Sequence, residues 1–234
     1  MKTAAASGLA MYLMETVEGA APVLVGTAMK GVVLDALTEM SVTQTYRNDE
    51  PGTIEAVYTF PLPLDAVLLE LEIRLGGTTY RGEIMPRADA ERIYEKAIDK
   101  GDSAIMLENP QPGLYTMNVG NLRAGDECVI SFRYGMFNHW QGDALRICLP
   151  TVVAPRYGDP GAGNLQPHQV PVTDLLAENP FSLSLLVKGA VAGGSISSPS
   201  HDVAIIGERE GVTVELGKEG APGSPLSQSR RRCR

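Results

Sequence analysis

Apolar and polar residues alternate along most of this chain with a period of two, the pattern of strands buried on one face. Ala36, Met40, Val42, Gln44 and Tyr46 fall on one side of a long run, and Asp35, Glu39, Ser41, Thr43 and Thr45 on the other. Ile54, Ala56, Tyr58 and Phe60 repeat the pattern, as do Val67, Leu69, Leu71, Ile73 and Leu75 set against Glu70, Glu72 and Arg74. Gly76-Gly77 then reads as a tight hairpin turn into a strand over Thr78–Ile84. Further strand faces are Tyr115, Met117, Val119; Cys128, Ile130, Phe132, Tyr134; and Leu145, Ile147, Leu149 after a turn at Gln141-Gly142-Asp143. The last are Phe181, Leu183, Leu185, Val187 and Val212, Val214, Leu216, with Gly8–Met14 as a first strand or its lead-in. The count comes to about ten strands.

One stretch, Ala88 to Lys100, has helical spacing instead, with Ala90, Ile93, Ala97 and Tyr94, Ile98 on its apolar side. Asp89 and Glu91 occupy its first turn, where the helix dipole favours acids, and Gly101 is placed to cap its end. The predicted fold is therefore mainly β, an antiparallel sandwich-like domain with one helix near 88–100 covering an open end or edge. Pro- and Gly-rich sequence from Val153 to Pro171 predicts a long connection. Gly217 to Arg234 holds one large apolar residue, Leu226, and is expected to be disordered because it buries too little to offset ordering entropy.

Composition adds limits. The 234 residues suffice for a hydrophobic core, and 44% apolar with 21% charged residues is ordinary for a globular protein. A net charge of −8 disfavours nonspecific contact with nucleic acid or anionic membranes. No stretch approaches the roughly 20 apolar residues of a membrane span. The start resembles no cleavable signal segment, since Glu15 and Glu18 interrupt a short apolar run, and cytoplasmic residence is the default expectation, with a secreted or periplasmic protein the alternative if the true start lies upstream. Cys128 and Cys148 are expected to be buried free thiols, although a bridge between them stays open; Cys233 makes the count odd, and no C-x-x-C spacing occurs.

Candidate chemistry is sparse. His139, His168 and His201 are far apart and lack partners at metal-site spacing. Ser198-Pro199-Ser200-His201-Asp202 invites a hydrolase reading, but neighbours along one segment do not assemble a triad, so a turn with local hydrogen bonds is expected. Glu91, Glu95 and Asp99 make an acidic stripe on the helix, expected to be a solvated face. No phosphate-loop or dinucleotide motif is present. Arg230–Arg232 with Arg234 is too short a basic cluster to predict nucleic-acid binding. The sequence thus assigns no catalytic, cofactor-binding or metal-binding residue, and no small-molecule substrate.

Three segments, in order, carry a resemblance. Residues 44–63 read QTYRNDEPGTIEAVYTFPLP, residues 94–107 YEKAIDKGDSAIML, and residues 114–125 LYTMNVGNLRAG. Together they resemble the VIT domain, the vault protein/inter-α-trypsin domain of the family that includes inter-α-trypsin inhibitor heavy chains and VIT/von Willebrand factor A proteins. VVAPRYGDP (152–160) and SPSHDV (198–203) are similar to segments that follow the domain in such proteins. Leu114 and Met106 depart from the family's usual aromatic and Leu. The resemblance implies a VIT core over 8–136, a β-rich extension over 137–216 and a tail over 217–234. It also implies a following von Willebrand A domain with a D-x-S-x-S metal motif, which this sequence lacks, so a truncated or frame-shifted product is expected. The implied function is a non-catalytic protein–protein interaction scaffold with an unidentified protein partner; a secreted or cell-surface adhesion component is the alternative, and a hydrolase a weaker one. No residue is assigned to the contact patch at this stage.

Overall fold

The computed structural model describes residues 13–16, 22–83, 87–100, 104–149, 181–199 and 201–216. The Gly101 cap, the 153–171 connection, the 217–234 tail, His168 and Cys233 lie outside the described residues. In chain order the elements are β1 (Leu13–Thr16), β2 (Val23–Leu34), β3 (Leu37–Arg47), β4 (Ile54–Pro61), β5 (Val67–Leu75), β6 (Thr78–Arg81) and α1 (Arg87–Asp99). There follow β7 (Ala104–Gln111), β8 (Leu114–Leu122), β9 (Glu127–Phe137), β10 (His139–Gln141) and β11 (Ala144–Arg146). The last are β12 (Phe181–Lys188), β13 (Val203–Glu208) and β14 (Gly211–Leu216).

The fold is mainly β. One sheet has eight strands in the order β13-β14-β12-β2-β3-β9-β5-β6, a second has four in the order β1-β4-β8-β7, and β10-β11 form a separate hairpin. Residues from both large sheets share one core, including Met40, Val42 and Phe132 from the first and Tyr58, Phe60 and Met117 from the second. Phe60 stacks on Phe132 with centroids 4.5 Å apart, and Tyr46 meets Tyr58 edge-on at 5.8 Å, so aromatic pairs join the two layers. Among the described residues every strand pairing is antiparallel except one: β12 runs parallel to β2, from Phe181 opposite Thr27 to Lys188 opposite Leu34. That pairing places β12, β14 and β13 in the same sheet as β2, β3 and β9.

The alternation read from the sequence holds along β3 and β9, whose buried residues are Met40, Val42, Gln44, Tyr46 and Cys128, Ile130, Phe132, Tyr134. It breaks in β5. Leu71, Ile73 and Leu75 point into the core as expected, but Val67 and Leu69 are exposed. Leu68 pairs with Tyr134 and Glu70 with Arg133, leaving Leu69 as a bulged residue. One extra residue reverses the facing of everything before it, so Leu68 packs on the core in place of its neighbours. Gly76 and Gly77 take φ of 56° and 80°, the left-handed pair that a two-residue hairpin turn requires. The expected strand over Thr78–Ile84 ends at Arg81, and the one through Leu149 is confined to Ala144–Arg146.

The helix forms where helical spacing places it, over Arg87–Asp99. Its half-buried residues are Ala90, Glu91, Tyr94 and Ala97, whereas Ile93 is exposed, contrary to the expected apolar side. The apolar face is narrow because the helix rests against β7 near the sandwich edge. Cys148 is exposed, also contrary to expectation, because the chain leaves the sheet after Arg146; Cys128 is buried, and both are free.

One buried polar cluster ties the sheets together. Gln44 in β3 accepts hydrogen bonds at Oε1 from the hydroxyls of Tyr58 and Tyr46, and its Nε2 donates to Thr27 Oγ1 at 3.0 Å. Gln44 is fully buried. Replacing Gln44 with Leu removes the buried amide that accepts from two tyrosine hydroxyls and donates to Thr27, so Gln44→Leu is expected to cost about 1–3 kcal/mol in urea unfolding. A loss below about 0.5 kcal/mol would show that these groups find other partners.

Candidate protein-interaction surface

The face of the eight-stranded sheet turned away from the core carries the most unusual surface. Strand register brings Leu34 of β2 opposite Leu37 of β3, and Leu37 opposite Phe137 of β9. The next row runs from Val32 through Glu39 and Gly135 to Val67 of β5. Leu34, Leu37, Val32, Val67 and Leu69 are all exposed, and Phe137 is 68% exposed. Buried Thr38 and Met136 lie between these positions along their strands, which fixes the apolar rows as outward-facing. Glu39, Glu70 and Arg133 border the patch, Arg133 reaching Glu39 at 3.3 Å and Glu70 at 3.4 Å. Trp140, 55% exposed, stands on the adjoining β10–β11 hairpin. A contiguous apolar area with aromatic members and a charged margin has the anatomy of a protein contact.

The turn at the centre of this patch is held from both sides. Asp35, at φ 51°, accepts hydrogen bonds from the backbone N–H groups of Ala190 (2.7 Å) and Val191 (3.4 Å) at the start of a short 3₁₀ turn over Ala190–Gly193. The Asp35 N–H donates to the carbonyl of Lys188 at 3.3 Å. On the other flank, the Asn138 N–H donates to the Ala36 carbonyl at 2.7 Å, and its Nδ2 to Thr38 Oγ1 at 2.6 Å. These contacts fix the orientation of Leu34, Leu37 and Phe137.

The residues singled out for chemistry do not converge. The ring of His139 lies 3.3 Å from the Asp65 carboxylate, both well exposed. The His201 N–H donates to Ser198 Oγ at 3.3 Å, the local turn expected from the sequence. Glu95 and Asp99 are exposed, while Glu91 is half-buried on the helix side facing the sheet. An open cleft of about 430 Å³ lies between Ala97 of α1 and the β5–β6 hairpin, with Arg123 and Asp126 at its rim. Among the described residues no three His, Cys, Asp or Glu side chains group as a metal site, and no helix is long and apolar enough to cross a membrane. Sequence reasoning assigned no residue to the apolar patch; the apolar pair flanking Asp35-Ala36 and Phe137 in the outward phase of Arg133 and Gly135 are its members, but strand register alone brings them together.

Burial governs the shifted ionisations. The Cys128 thiol is pushed up to about 12 by desolvation in the core. Tyr94 is raised to about 12, by burial first and then by the Glu55 charge. Tyr134 is raised by burial and then by Cys148. Asp49 is lowered by its hydrogen bond from Arg47 in an exposed pair. A thiol held protonated in this way is a packing group, not a nucleophile.

Residues 24–134 match the family model of the Vault protein inter-alpha-trypsin domain. The chain is 31% identical over 162 residues to von Willebrand factor A domain-containing protein 5A of Homo sapiens, covering 66% of this chain and 20% of that protein. It is 28% identical over 200 residues to protein mono-ADP-ribosyltransferase PARP4 of Mus musculus, covering 81% of this chain and 10% of that protein. The chain therefore spans a fifth or less of the length of these two relatives. Among solved structures, an M1 zinc metallopeptidase from Deinococcus radiodurans aligns with 83% of this chain and 38% of its own, at 13% identity and a TM-score of 0.37.

The core ionisations have a consequence in alkali. Unfolded Cys128 ionises near its ordinary 9.0 and unfolded Tyr94 near 10.0, whereas both wait until about 12 in the fold. Stability is therefore full below about pH 9 and falls as pH rises toward 12. Urea midpoints measured across that window should decline, and Cys128→Ala should flatten the decline; a midpoint unchanged up to pH 12 would contradict the assignment.

Proposed function

Residues 24–134 belong to the vault protein inter-alpha-trypsin (VIT) domain family, and from that premise we propose that the chain is a non-catalytic scaffold that binds a protein partner through the outer face of its larger sheet. The observation that carries this reading is the row Leu34, Leu37, Phe137 with Val32, Val67 and Leu69 beside it, an apolar area held in place by hydrogen bonds yet left in water. Covering a Phe or Leu side chain contributes about 1.5–3 kcal/mol, so a few such anchors suffice for a specific contact. The von Willebrand factor A domain-containing relatives place domains of this kind in longer proteins, which is consistent with a module that works by docking. His139 lies against Asp65 on the surface and the His201 N–H closes a local turn with Ser198, which is the structural role expected of them.

The partner this surface fits is a protein face with its own aromatic or aliphatic anchors. Nucleic acid is a poor match, since the margin of the patch holds Glu39 and Glu70 against one Arg133.

The reading is tested by affinity capture from native extract with three forms of the full chain. Leu37→Ser with Phe137→Asp removes two exposed anchors and should leave stability within about 0.5 kcal/mol, as surface changes do. Arg74→Ser, on the same face farther along β5, is the control. The expected result is a set of proteins captured by the unaltered and Arg74→Ser chains and reduced at least tenfold, about 1.4 kcal/mol, by the patch variant. Equal capture by all three, or none by the unaltered chain, overturns the reading.

A further inference from the structure

A second surface, independent of the apolar patch, is the edge of β13. Among the described residues this strand ends the eight-stranded sheet and pairs only with β14. The ladder is regular from Val203 opposite Leu216 to Glu208 opposite Gly211, and the two-residue turn Arg209-Glu210 joins the strands. Such a turn closes on a pair that exchanges both backbone hydrogen bonds, and bonding pairs then alternate along the ladder. Glu208, Ile206 and Ala204 therefore direct their backbone groups to β14, whereas Gly207, Ile205 and Val203 direct theirs outward. The strand, VAIIGE, has no Pro, Lys or Arg and no bulge to blunt that edge. At the other end of the sheet, β6 is only four residues long and carries Arg81, paired to Glu72.

The side chains around β13 are graded along the strand. Ile205 and Ile206, on opposite faces, are both about half exposed. Glu208 is held by Thr213 and Glu210 by Lys188, so those two carboxylates are occupied. Asp202 and Glu215 are exposed, and among the described residues neither carboxylate has a partner. Glu215 lies opposite Ala204, and Asp202 precedes Ala204 by two residues, so both acids share one face at the entry to β13. Arg209, exposed in the turn, stands at the far end. Ala204 is the one residue between Glu215 and the open edge. A residue added opposite Ala204 would sit two strand spacings, about 10 Å, from Glu215, a gap that a lysine and a glutamate bridge together.

We propose that the β13 edge takes up an extended segment of a partner protein as an added antiparallel strand, with apolar residues opposite Ile206 and Ile205 followed by basic residues opposite Ala204 and Asp202. The outward backbone groups of Val203, Ile205 and Gly207 supply the ladder, and the side chains supply the selection. The apolar pair covers the two isoleucines, one on each face. The first basic residue reaches over Ala204 to Glu215, and the second faces Asp202. An acidic segment meets two carboxylates at the same places and is refused, so recognition weakens as salt rises.

The test uses a fluorescently labelled peptide, TYVVKVK, whose residues fall in order opposite Glu208 through Asp202, titrated with the full chain at low salt and read by anisotropy. The expected result is saturable binding, with the peptide TYVVEVE bound about tenfold more weakly. Asp202→Lys with Glu215→Lys should reverse that order, because the charges are exchanged. Ile205→Pro removes an outward N–H while leaving the bonds to β14, so it should abolish binding of TYVVKVK without changing the circular dichroism. The patch variant, Leu37→Ser with Phe137→Asp, should bind the peptide as the unaltered chain does, which separates this surface from the outer face of the sheet. No binding by the unaltered chain, equal affinity for the two peptides, or an order unchanged by the double lysine variant overturns the proposal. Undiminished binding by a folded Ile205→Pro chain overturns it as well.

Discussion

The sandwich depends on one buried amide. Gln44 sits at the centre of β3 with no exposure, between two layers that otherwise offer aromatic and aliphatic groups. A carboxamide there is costly unless its donors and acceptor are satisfied. Tyr58 reaches it from the opposite sheet, Tyr46 from two residues along its own strand, and Thr27 from β2. Only one register of β4 over β3 brings the Tyr58 hydroxyl to that oxygen, so the cluster selects the arrangement that hydrophobic area alone would leave loosely specified. The stacked rings of Tyr58, Phe60, Phe132 and Tyr134 then continue the core on either side of it.

Asn48 plays the corresponding part at the end of the sheet. Its Nδ2 donates to the carbonyls of Gly52 and Leu122, its Oδ1 accepts from the Glu50 N–H, and its backbone pairs with Asp126 and Gly125. Asn121 at φ 56° and Gly125 at φ 77° give the facing turn its left-handed bends. The Q-x-Y-x-N and V-G-N-L-x-x-G segments that carried the family resemblance are therefore the residues that satisfy buried polar groups and shape turns. That is why the resemblance reported the fold reliably while pointing to no reaction.

What was legible in the sequence follows from the same physics. Strands buried on one face, such as β3 and β9, announce themselves by alternation, and α1 by its different period. β2 did not stand out, because its inward positions include Thr27 and Gly31 while Val32 and Leu34 face water. Gly31 is inward because Met40 and Leu185 occupy the space a side chain would need, a constraint set by β3 and β12. The bulge at Leu69 adds one residue without a local marker, so Val67 and Leu69 read as core when they are surface. Ile93, midway along α1, and Cys148, just past the end of β11, misled for a related reason: an apolar residue is buried only where another element packs on it. The parallel seat of β12 beside β2 depends on a contact more than 140 residues apart, beyond any local pattern.

The apolar patch was invisible for that reason too, since its members come from β2, β3, β5 and β9 and meet only through register. Its value for binding lies in how it is held. Asp35 is fastened to the 3₁₀ turn by two backbone N–H groups, and Gly189 has no side chain because the Asp35 carboxylate fills that space. Asn138 ties the end of β9 to Ala36 and Thr38. Leu34, Leu37 and Phe137 are thus presented on a frame whose conformational entropy has already been given up in folding. A partner that docks on a frame of this kind loses less free energy to ordering than one that must organise a loop, so a small apolar area serves as a specific contact. The clamp draws on residues 188–191, outside the 24–134 match, so the later strands contribute to that surface as well as to the sheet.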